Sequence, residues 1–391
     1  MSEGARTFWR PADHPGNRKF ATFTWGGAGL ELEGGGRLEE VTVAYETWGT
    51  LDARHSNAVL VLHALTGDSH AAGEAGPGHP TPGWWDPLIG PGRPLDTDRF
   101  FVVCSNVLGG CQGTTGPSSL RPDGRPYGSR FPVITIRDQV AVEVALADHL
   151  GIESWAAAVG GSMGGMRALE WVVSYSERVD RAIVVAVGAA GTADQIALCS
   201  LQVRAIRADP RFAGGDYYDD LTGPSVGLSI ARGIGQFSYR TWTEFESRFG
   251  REPQSDEAVL ERGRYAIESY LGHQGEKLAL RFDPNSYIVL SEAMNHHDVG
   301  RGRGGVAAAL KGVRVPVTVA GVSSDRLYPR ELQEELGRLI PRAGRPAVIA
   351  SPAGHDGFLL ETEQVGEIIR TALKRPTKAA PEFINSASWL R

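Results

Sequence analysis

The stretch that decides the fold reads WAAAVGGSMGGM at residues 155–166. Its first half, Trp155 to Val159, is a short apolar run typical of a buried strand, and the residues from Ser162 to Tyr175 have the apolar spacing of a helix. Between them GGSMG matches the G-x-S-x-G pattern, in which a serine on a tight strand-to-helix turn presents its hydroxyl to a reacting group. The pattern therefore predicts a nucleophile at Ser162. A dinucleotide-binding turn is the alternative, but it needs G-x-G-x-x-G, which GGSMGG does not fit.

Short, continuously apolar runs recur along the chain and alternate with helical patterns. Because strands buried on both faces read this way, the alternation predicts a mostly parallel α/β sheet flanked by helices. The predicted strands cover residues 41–46, 58–62, 100–104, 155–159, 181–187, 315–320 and 347–350, and the clearest predicted helices cover 137–150, 162–175 and 362–373.

The segment from 191 to 304 breaks this alternation, with helix-like stretches at 229–239 and 241–249 and few β-branched runs. We interpret it as a helical lid inserted into one α/β core, so that 1–190 and 305–375 form the core. Residues 376–391 lose all periodicity and are predicted to be a flexible tail.

Composition excludes several classes of protein. The 391-residue chain carries a net charge of −6, which argues against a nucleic-acid binder. It has neither an apolar run long enough for a membrane span nor the apolar core of a signal peptide. Its three cysteines, Cys104, Cys111 and Cys199, cannot all pair and lack CxxC spacing. We therefore expect a cytoplasmic protein with reduced thiols and no membrane or nucleic-acid partner.

A serine nucleophile needs a base, and the base needs an acid that orients it. Asp325 follows the predicted strand 315–320, and His355 follows the predicted strand 347–350. Both lie past the carboxyl ends of strands, where α/β sites are assembled, and the chain order Ser, Asp, His is the expected one. The sequence therefore predicts a triad of Ser162, Asp325 and His355. Separately, the acid could cap a turn and the histidine could be an ordinary loop residue.

The backbone N–H groups of Leu65 and Met163 are the predicted oxyanion hole. Met163 follows the nucleophile at a helix N-terminus, and Leu65 lies in the loop HALTGD that follows the strand 58–62. N–H groups from these two places stabilise the oxyanion in folds of this kind. An ordinary βα loop is the alternative interpretation for Leu65.

The sequence gives little support for a metal site or a phosphate-binding site. The cluster His296-His297-Asp298 lacks a second ligand group at the right spacing, so no metal site is predicted. No Walker motif is present. The basic segment GRGRGG at 300–305 could meet phosphates, but a hinge where the lid rejoins the core is equally consistent with it. Cys111 is interpreted as structural, because His355 is better placed to serve Ser162.

In these motifs and in others along its length, the chain resembles homoserine O-acetyltransferases, a family of α/β-hydrolase fold. The resemblance rests on long motifs in order from about residue 13 to 373, among them HALTGDSH (63–70), GPGHPTPGWWD (76–86), NVLGGCQGTTGPSS (106–119), GGSMGGMRALEW (160–171), SYLGHQGEKLALRFDPNSY (269–287), HDVGRGRGG (297–305), SSDRLYP (323–329) and GHDGFL (354–359). It implies acetyl transfer from acetyl-CoA to L-homoserine through an acetyl-serine, with no permanently bound cofactor. It also implies a cytoplasmic homodimer joined through its lid helices.

The resemblance also implies substrate-binding residues. The lid arginine that grips the homoserine carboxylate falls on Arg232, a nearby lid tyrosine falls on Tyr239, and the acid that holds the ammonium falls on Asp356. The chemistry agrees, since guanidinium binds carboxylate bidentately. Taken alone, Arg232 could be a solvated surface residue and Asp356 a turn cap.

Four other functions stay open. The same scaffold could use succinyl-CoA, or take serine as acceptor. A plain esterase would have no need of an amino-acid clamp. The fourth is a non-catalytic interaction protein on this fold, and the Ser–Asp–His order argues against it.

Overall fold

The computed structural model describes residues 8–220 and 223–375, so the predicted tail at 376–391 lies outside the described residues. The strands are β1 (Lys19–Phe23), β2 (Leu30–Glu31), β3 (Arg37–Leu38), β4 (Val41–Trp48), β5 (Ala58–Leu62), β6 (Ile89–Gly90), β7 (Leu95–Asp96), β8 (Phe101–Ser105), β9 (Ala157–Gly161), β10 (Ala182–Val185), β11 (Val317–Val322) and β12 (Ala347–Ile349). The α-helices are α1 (Ile136–His149), α2 (Met163–Ser174), α3 (Ala193–Arg207), α4 (Ser225–Tyr239), α5 (Trp242–Arg248), α6 (Ala266–Ala279), α7 (Pro284–Asn295), α8 (Val306–Lys311), α9 (Arg330–Leu339), α10 (Gly357–Leu360) and α11 (Thr362–Lys374).

Eight strands form one sheet in the order β1-β4-β8-β5-β9-β10-β11-β12. The six strands from β8 to β12 in this order run parallel, and β4 is antiparallel to both β1 and β8. The predicted α/β class with a mostly parallel sheet is therefore confirmed.

The sheet buries both of its faces, which explains the continuous apolar runs in the sequence. In β5, Leu60 and Leu62 pack into one hydrophobic cluster, whereas Val59 and Val61 pack into a second cluster across the sheet. A strand of this kind has no polar face, so it shows no period of two.

β1 was not predicted, and its sequence KFATF explains why. It pairs only with β4 at the edge of the sheet, and Ala21 is the one buried residue of its five. An edge strand of five residues that is half polar gives a weak pattern. The predicted strands of the parallel part, by contrast, match observed strands with ends shifted by a few residues.

The first turn of α2 packs directly against the backbone at the end of β5. A Cβ at Gly164 would lie 2.0 Å from the carbonyl oxygen of Leu62 and 3.0 Å from that of His63. A Cβ at Gly160 would in turn lie 2.3 Å from the carbonyl oxygen of Gly164. Only glycine allows this approach, which joins the strand-to-helix turn to the loop after β5.

Between β10 and β11 the described residues form the helices α3 to α8 and no strand. α4 contacts both α3 and α6, and α3 also packs on α7. The carboxyl end of α4 is joined to two loops of the sheet. Arg326 donates hydrogen bonds to the carbonyl oxygens of Phe237 and Ser238, and the Thr241 hydroxyl donates to the carbonyl of Pro352 over 2.6 Å.

Within the two described ranges, none of the helices has both the length and the apolar character needed to cross a membrane.

Candidate active site

Ser162 occupies a strained position between β9 and α2. Its backbone angles are φ 56° and ψ −126°, a conformation that costs a non-glycine residue about 1–3 kcal/mol. The turn is held by bonds on both sides, since the Ser162 N–H donates to the carbonyl of Val185 over 3.0 Å and its own carbonyl accepts from the N–H of Met166. The strain is the signature of a serine presented at a sharp strand-to-helix turn.

The structure brings the three predicted triad residues together at the carboxyl edge of the sheet. His355 Nε2 lies 2.8 Å from Ser162 Oγ, and His355 Nδ1 lies 2.7 Å from Asp325 Oδ2. The second carboxylate oxygen of Asp325 accepts the backbone N–H groups of Leu327 and Tyr328 over 2.8 and 2.9 Å. All three triad side chains are buried. The arrangement can move a proton from the serine hydroxyl to the imidazole while the carboxylate orients the ring.

Aromatic rings surround the imidazole of His355. Tyr328 stacks on it with ring centroids 5.1 Å apart, and Phe358 and Tyr239 lie 5.5 and 5.8 Å away. Burial by these rings lowers the pKa of His355, but the Asp325 carboxylate more than offsets it, with a smaller contribution from Asp356, so the pKa is raised above 6.5. The geometry thus favours a stronger base than free histidine.

The glycine before His355 is required by both conformation and space. Gly354 has φ +64°, and a Cβ there would lie 2.2 Å from the carbonyl oxygen of Tyr239 at the end of α4. The histidine loop therefore lies in backbone contact with a helix of the insertion.

The predicted oxyanion N–H of Leu65 lies in a tight turn, Ala64 to Gly67, closed by a 3.0 Å bond from the Gly67 N–H to the Ala64 carbonyl. The same carbonyl oxygen lies 2.7 Å from Nδ1 of His63. Because a trans peptide is planar, fixing the Ala64 C=O also fixes the Leu65 N–H, which points the opposite way. Two bonds to one oxygen therefore set the direction of this donor.

His63 is a neutral, fully buried ring whose tautomer follows from its partners. Burial and the nearby Arg167 lower its pKa to about 3. Its Nε2 accepts the N–H of Val107 over 3.0 Å, so Nδ1 carries the proton and donates to Ala64.

Arg167, one turn into α2, donates to the carbonyl of His63 over 2.5 Å and pairs with Glu143 over 2.7 Å. Glu143 also accepts the indole N–H of Trp171. This buried network ties the nucleophile helix to the loop that carries Leu65. The second predicted donor, Met163, begins α2, where the first N–H groups have no intrahelical acceptor.

Arg232 lies on α4 above Tyr239, with its guanidinium carbon 5.6 Å from the ring centroid. No carboxylate lies within ion-pair distance of Arg232 among the residues that the structure describes. Tyr239 is in turn a neighbour of His355, and burial raises its pKa to about 12, so it stays protonated. The ring of Tyr239 therefore lies next to both Arg232, which has no carboxylate partner among the described residues, and His355 of the predicted triad.

Asp356 has a partner that the sequence did not suggest. Its Oδ2 lies 3.0 Å from Nε of Arg240, and Arg240 also contacts Glu244 at 2.9 Å. Oδ1 of Asp356 forms no hydrogen bond within the described part of the chain. Arg240 forms an ion pair with this carboxylate, but its Nε forms no hydrogen bond in the described part of the chain, so Asp356 keeps acceptor capacity for a further donor.

The three cysteines are free and buried. Burial raises the pKa of Cys111 to about 12 and that of Cys199 to about 11, and raises that of Cys104 well above 9. None is a thiolate near neutral pH, which agrees with a structural role for Cys111.

Glu46, His70 and His79 are the described residues that come nearest to a metal set. The two imidazoles are stacked 3.8 Å apart at 13°, so their in-plane lone pairs do not converge on one ion. His70 Nδ1 is already bonded to Glu46 at 2.9 Å, and His79 Nε2 accepts the N–H of Asn17. The arrangement serves as a buried hydrogen-bond network.

The two arginines of the basic segment 300–305 form ion pairs with acidic residues of the same chain. Arg301 pairs with Glu33, and Arg303 pairs with Glu170. The adjacent His297 is buried, which lowers its pKa to about 4, and it bonds to the carbonyl of Gly188. These contacts favour a structural junction over a phosphate site.

The sequence did not predict the contacts of His63, Arg167 and Arg240, although the motifs HALTGDSH and GGSMGGMRALEW contain the first two. His63 could have been suspected, because a histidine directly after a buried strand at the site edge is a costly residue to bury. Arg167 and Arg240 show no such pattern, because their partners His63, Glu143 and Asp356 lie in segments distant in sequence.

Comparison with known proteins agrees with this geometry. The sequence model of the alpha/beta hydrolase fold matches residues 57–362. A homoserine O-acetyltransferase of Thermobifida fusca is 59% identical over 366 residues, covering 93% of this chain and 96% of the relative. One from Mycobacterium tuberculosis is 56% identical, covering 88% of this chain and 91% of its own.

Solved structures resemble the fold at lower identity. A homoserine O-acetyltransferase from Bacillus anthracis superposes with a TM-score of 0.84 at 27% identity, covering 93% of this chain and 99% of the other. Esterase E22 superposes with a TM-score of 0.83 at 28% identity, covering 91% and 100%. Because the same fold serves both names, the relatives above 50% identity decide: the chain belongs to the homoserine O-acetyltransferase family of α/β-hydrolase proteins.

Proposed function

We propose that this chain transfers an acetyl group from acetyl-CoA to the hydroxyl of L-homoserine, through an acetyl ester on Ser162, and thereby supplies O-acetyl-L-homoserine for methionine biosynthesis in the cytoplasm. The observation that carries the proposal is the continuous set of contacts Ser162–His355–Asp325, with Tyr239 beside the imidazole and Arg232 over the ring of Tyr239. No permanently bound cofactor takes part, and acetyl-CoA is a co-substrate.

In the first half-reaction His355 accepts the Ser162 proton as the hydroxyl oxygen attacks the thioester carbonyl. Asp325 stabilises the imidazolium that forms. The N–H groups of Leu65 and Met163 stabilise the tetrahedral oxyanion, and each such donor contributes on the order of 10²–10³ in rate. Collapse of the intermediate expels the thiolate of CoA, which takes the proton from His355.

In the second half-reaction His355 removes the proton from the homoserine hydroxyl, which attacks the acetyl ester. Collapse of this intermediate breaks the bond to Ser162 Oγ, which takes the proton from His355, and O-acetyl-L-homoserine is released. Arg232 binds the substrate carboxylate, for which it is suited because no protein carboxylate among the described residues pairs with it. The free oxygen of Asp356 binds the ammonium group, while Arg240 holds the other oxygen. Tyr239, whose ring contacts both Arg232 and His355, is the aromatic neighbour of the proposed substrate.

Water competes with homoserine for the acetyl ester, so a transferase must exclude it. The helices α3 to α7 are proposed to act as a lid above the site. Their support is the direct contact of α4 with the histidine loop at Gly354 and of α4 with the aspartate loop through Arg326. An esterase on the same fold is the alternative function, and it differs in letting water finish the reaction.

We also propose a homodimer joined through α4. Three apolar side chains of α4 are largely exposed: Val226 (64%), Ile230 (53%) and Phe237 (58%). They follow one another at intervals of four and seven residues, which places them along one side of the helix. Trp242, at the start of α5, is 74% exposed nearby in sequence. Burying such a stripe against a second copy would remove a large apolar area from water.

Ser162→Ala tests the covalent intermediate. Wild-type protein incubated with acetyl-CoA without acceptor should carry an acetyl group on the peptide containing Ser162, and the variant should carry none, as read by mass spectrometry. Acetyl-, propionyl- and succinyl-CoA offered with homoserine or serine identify both substrates, and the proposal predicts fastest thiol release with acetyl-CoA and homoserine. An acetyl adduct on the variant, or equal turnover without any acceptor, would contradict the transferase mechanism.

Asp325→Asn should change the pH dependence of acylation as well as its rate. The raised pKa of His355 depends on the Asp325 charge, and the base works only when neutral. Activity of the wild type should therefore rise through a pKa above 6.5, and the variant should rise at lower pH, with a rate reduced by about 10⁴-fold. The measurement is kcat/KM against pH, with the exposed Asp123→Asn as control. An unmoved acid limb would show that Asp325 does not set this pKa.

Arg232→Ala should raise the KM for homoserine by about 10–100-fold, since a charge-assisted bond contributes about 1.5–3 kcal/mol. The KM for the acyl donor should change far less. Steady-state kinetics with each substrate varied separately give both constants, and Arg264→Ala, an exposed ion-paired arginine, is the matched control. Equal increases in both KM values would rule out a carboxylate clamp.

Ile230→Asp should convert a dimer into a monomer, because it places a charge in the centre of the apolar stripe. Analytical ultracentrifugation measures the change, and Leu120→Asp, an exposed apolar residue on a distant loop, is the control. A monomeric wild type, or a dimeric variant, would remove α4 as the interface.

A further inference from the structure

We infer that Arg281 is a positioning residue that holds the oxyanion loop, residues 64–68, and that it makes acylation of Ser162 depend on the inserted helices. The inference rests on the proposed function in so far as it assigns Leu65 as an oxyanion donor.

The backbone at Arg281 is fixed on both sides. It follows the end of α6, where its N–H donates to the carbonyl of Leu278 over 2.9 Å, and its carbonyl accepts the side-chain amide of Gln112 over 3.1 Å. The next residue, Phe282, is almost fully buried. The guanidinium is therefore projected from a well-anchored junction between α6 and α7.

The side chain reaches from this junction to the oxyanion loop. Nη1 of Arg281 donates to the carbonyl oxygen of Thr66 over 2.9 Å. Burial lowers the pKa of Arg281 below its usual value, the charge of Asp68 opposes this shift, and the charge of Arg232 adds to it. The guanidinium is therefore joined to the loop by one hydrogen bond and attracted to it by the charge of Asp68.

The position of Thr66 explains why this bond matters. Leu65 and Thr66 are the two central residues of the turn from Ala64 to Gly67. His63 and the Gly67 N–H hold the peptide before Leu65, and Arg281 holds the carbonyl of the peptide after Thr66. Both sides of the oxyanion donor are then restrained, the first by the core and the second by the insertion.

The two arginines near the site are thus distinguished by their partners. Neither forms an ion pair among the described residues, but Arg281 donates a hydrogen bond to the Thr66 carbonyl, whereas the recorded contact of Arg232 is with the ring of Tyr239. Loss of Arg281 should therefore affect the oxyanion and leave homoserine binding largely intact. A shift of about 1 Å in a catalytic group can cost about 10²-fold in rate, so a decrease of about 10–100-fold in acylation is expected.

The experiment compares Arg281→Met and Arg281→Lys with the exposed control Arg264→Met in full-length protein. Acylation is followed as pre-steady-state release of thiol from acetyl-CoA and of p-nitrophenol from p-nitrophenyl acetate, which lacks the CoA moiety. The KM for homoserine and the thermal midpoint are measured for each variant. We expect Arg281→Met to slow acylation by both donors to the same extent, Arg281→Lys to recover part of the rate, and the homoserine KM to stay within about threefold of wild type.

Three results would overturn the inference. Slower acylation with acetyl-CoA alone would make Arg281 a CoA-binding residue, and a raised homoserine KM with unchanged acylation would make it a substrate-binding residue. Unchanged acylation in a folded variant would remove any role; if Arg281→Met does not fold, Arg281→Lys decides by the same comparison. A wild type that reacts with the small ester but does not transfer to homoserine would refute the proposed function, and the ester measurement would still judge Arg281.

Discussion

The backbone contact between the first turn of α2 and the end of β5 is the constraint on which the site depends. With a hydrogen in place of a side chain at Gly164, the helix lies against the carbonyls of Leu62 and His63. That contact places the strained Ser162 turn and the loop carrying Leu65 side by side, and Arg167 adds a buried bond between the same two elements. The proposed nucleophile and the proposed oxyanion donors are therefore held together by contacts of the protein itself.

The proposed base His355 and its partner Asp325 depend on contacts with α4, one of the helices between β10 and β11. The end of α4 lies against the histidine loop and accepts hydrogen bonds from Arg326, directly after Asp325. The base and its acid are thus supported from outside the sheet. Since α4 also carries Arg232, a movement of this helix would affect the proposed carboxylate clamp and the imidazole together. In the proposed mechanism, substrate binding and proton transfer thus depend on the position of the same helix.

Much of this could be predicted from the sequence, and the exceptions have a physical pattern. Strands buried on both faces and a glycine-rich turn have local sequence patterns, so β5, β9 and the position of Ser162 could be predicted. Asp325 and His355 could be predicted because each follows the end of a predicted strand. β1 could not be predicted, because an edge strand need not be apolar. The partner of Asp356 was also missed, since Arg240 comes from the far end of α4 and no spacing rule links the two. The bonds of Arg167 to His63 and Glu143 likewise join segments far apart in the sequence, so they become visible only when the chain is folded.

The three buried cysteines have a practical meaning for an enzyme of thioester chemistry. The proposed reaction consumes a thioester, and an exposed protein thiolate would attack its carbonyl and become acetylated, with CoA as the leaving group. Here burial keeps Cys104, Cys111 and Cys199 protonated and inaccessible. The three cysteines are thereby protected from acetylation by the proposed co-substrate. A thiol-reactive dye added to follow the reaction would accordingly report the released product and leave the folded protein unlabelled.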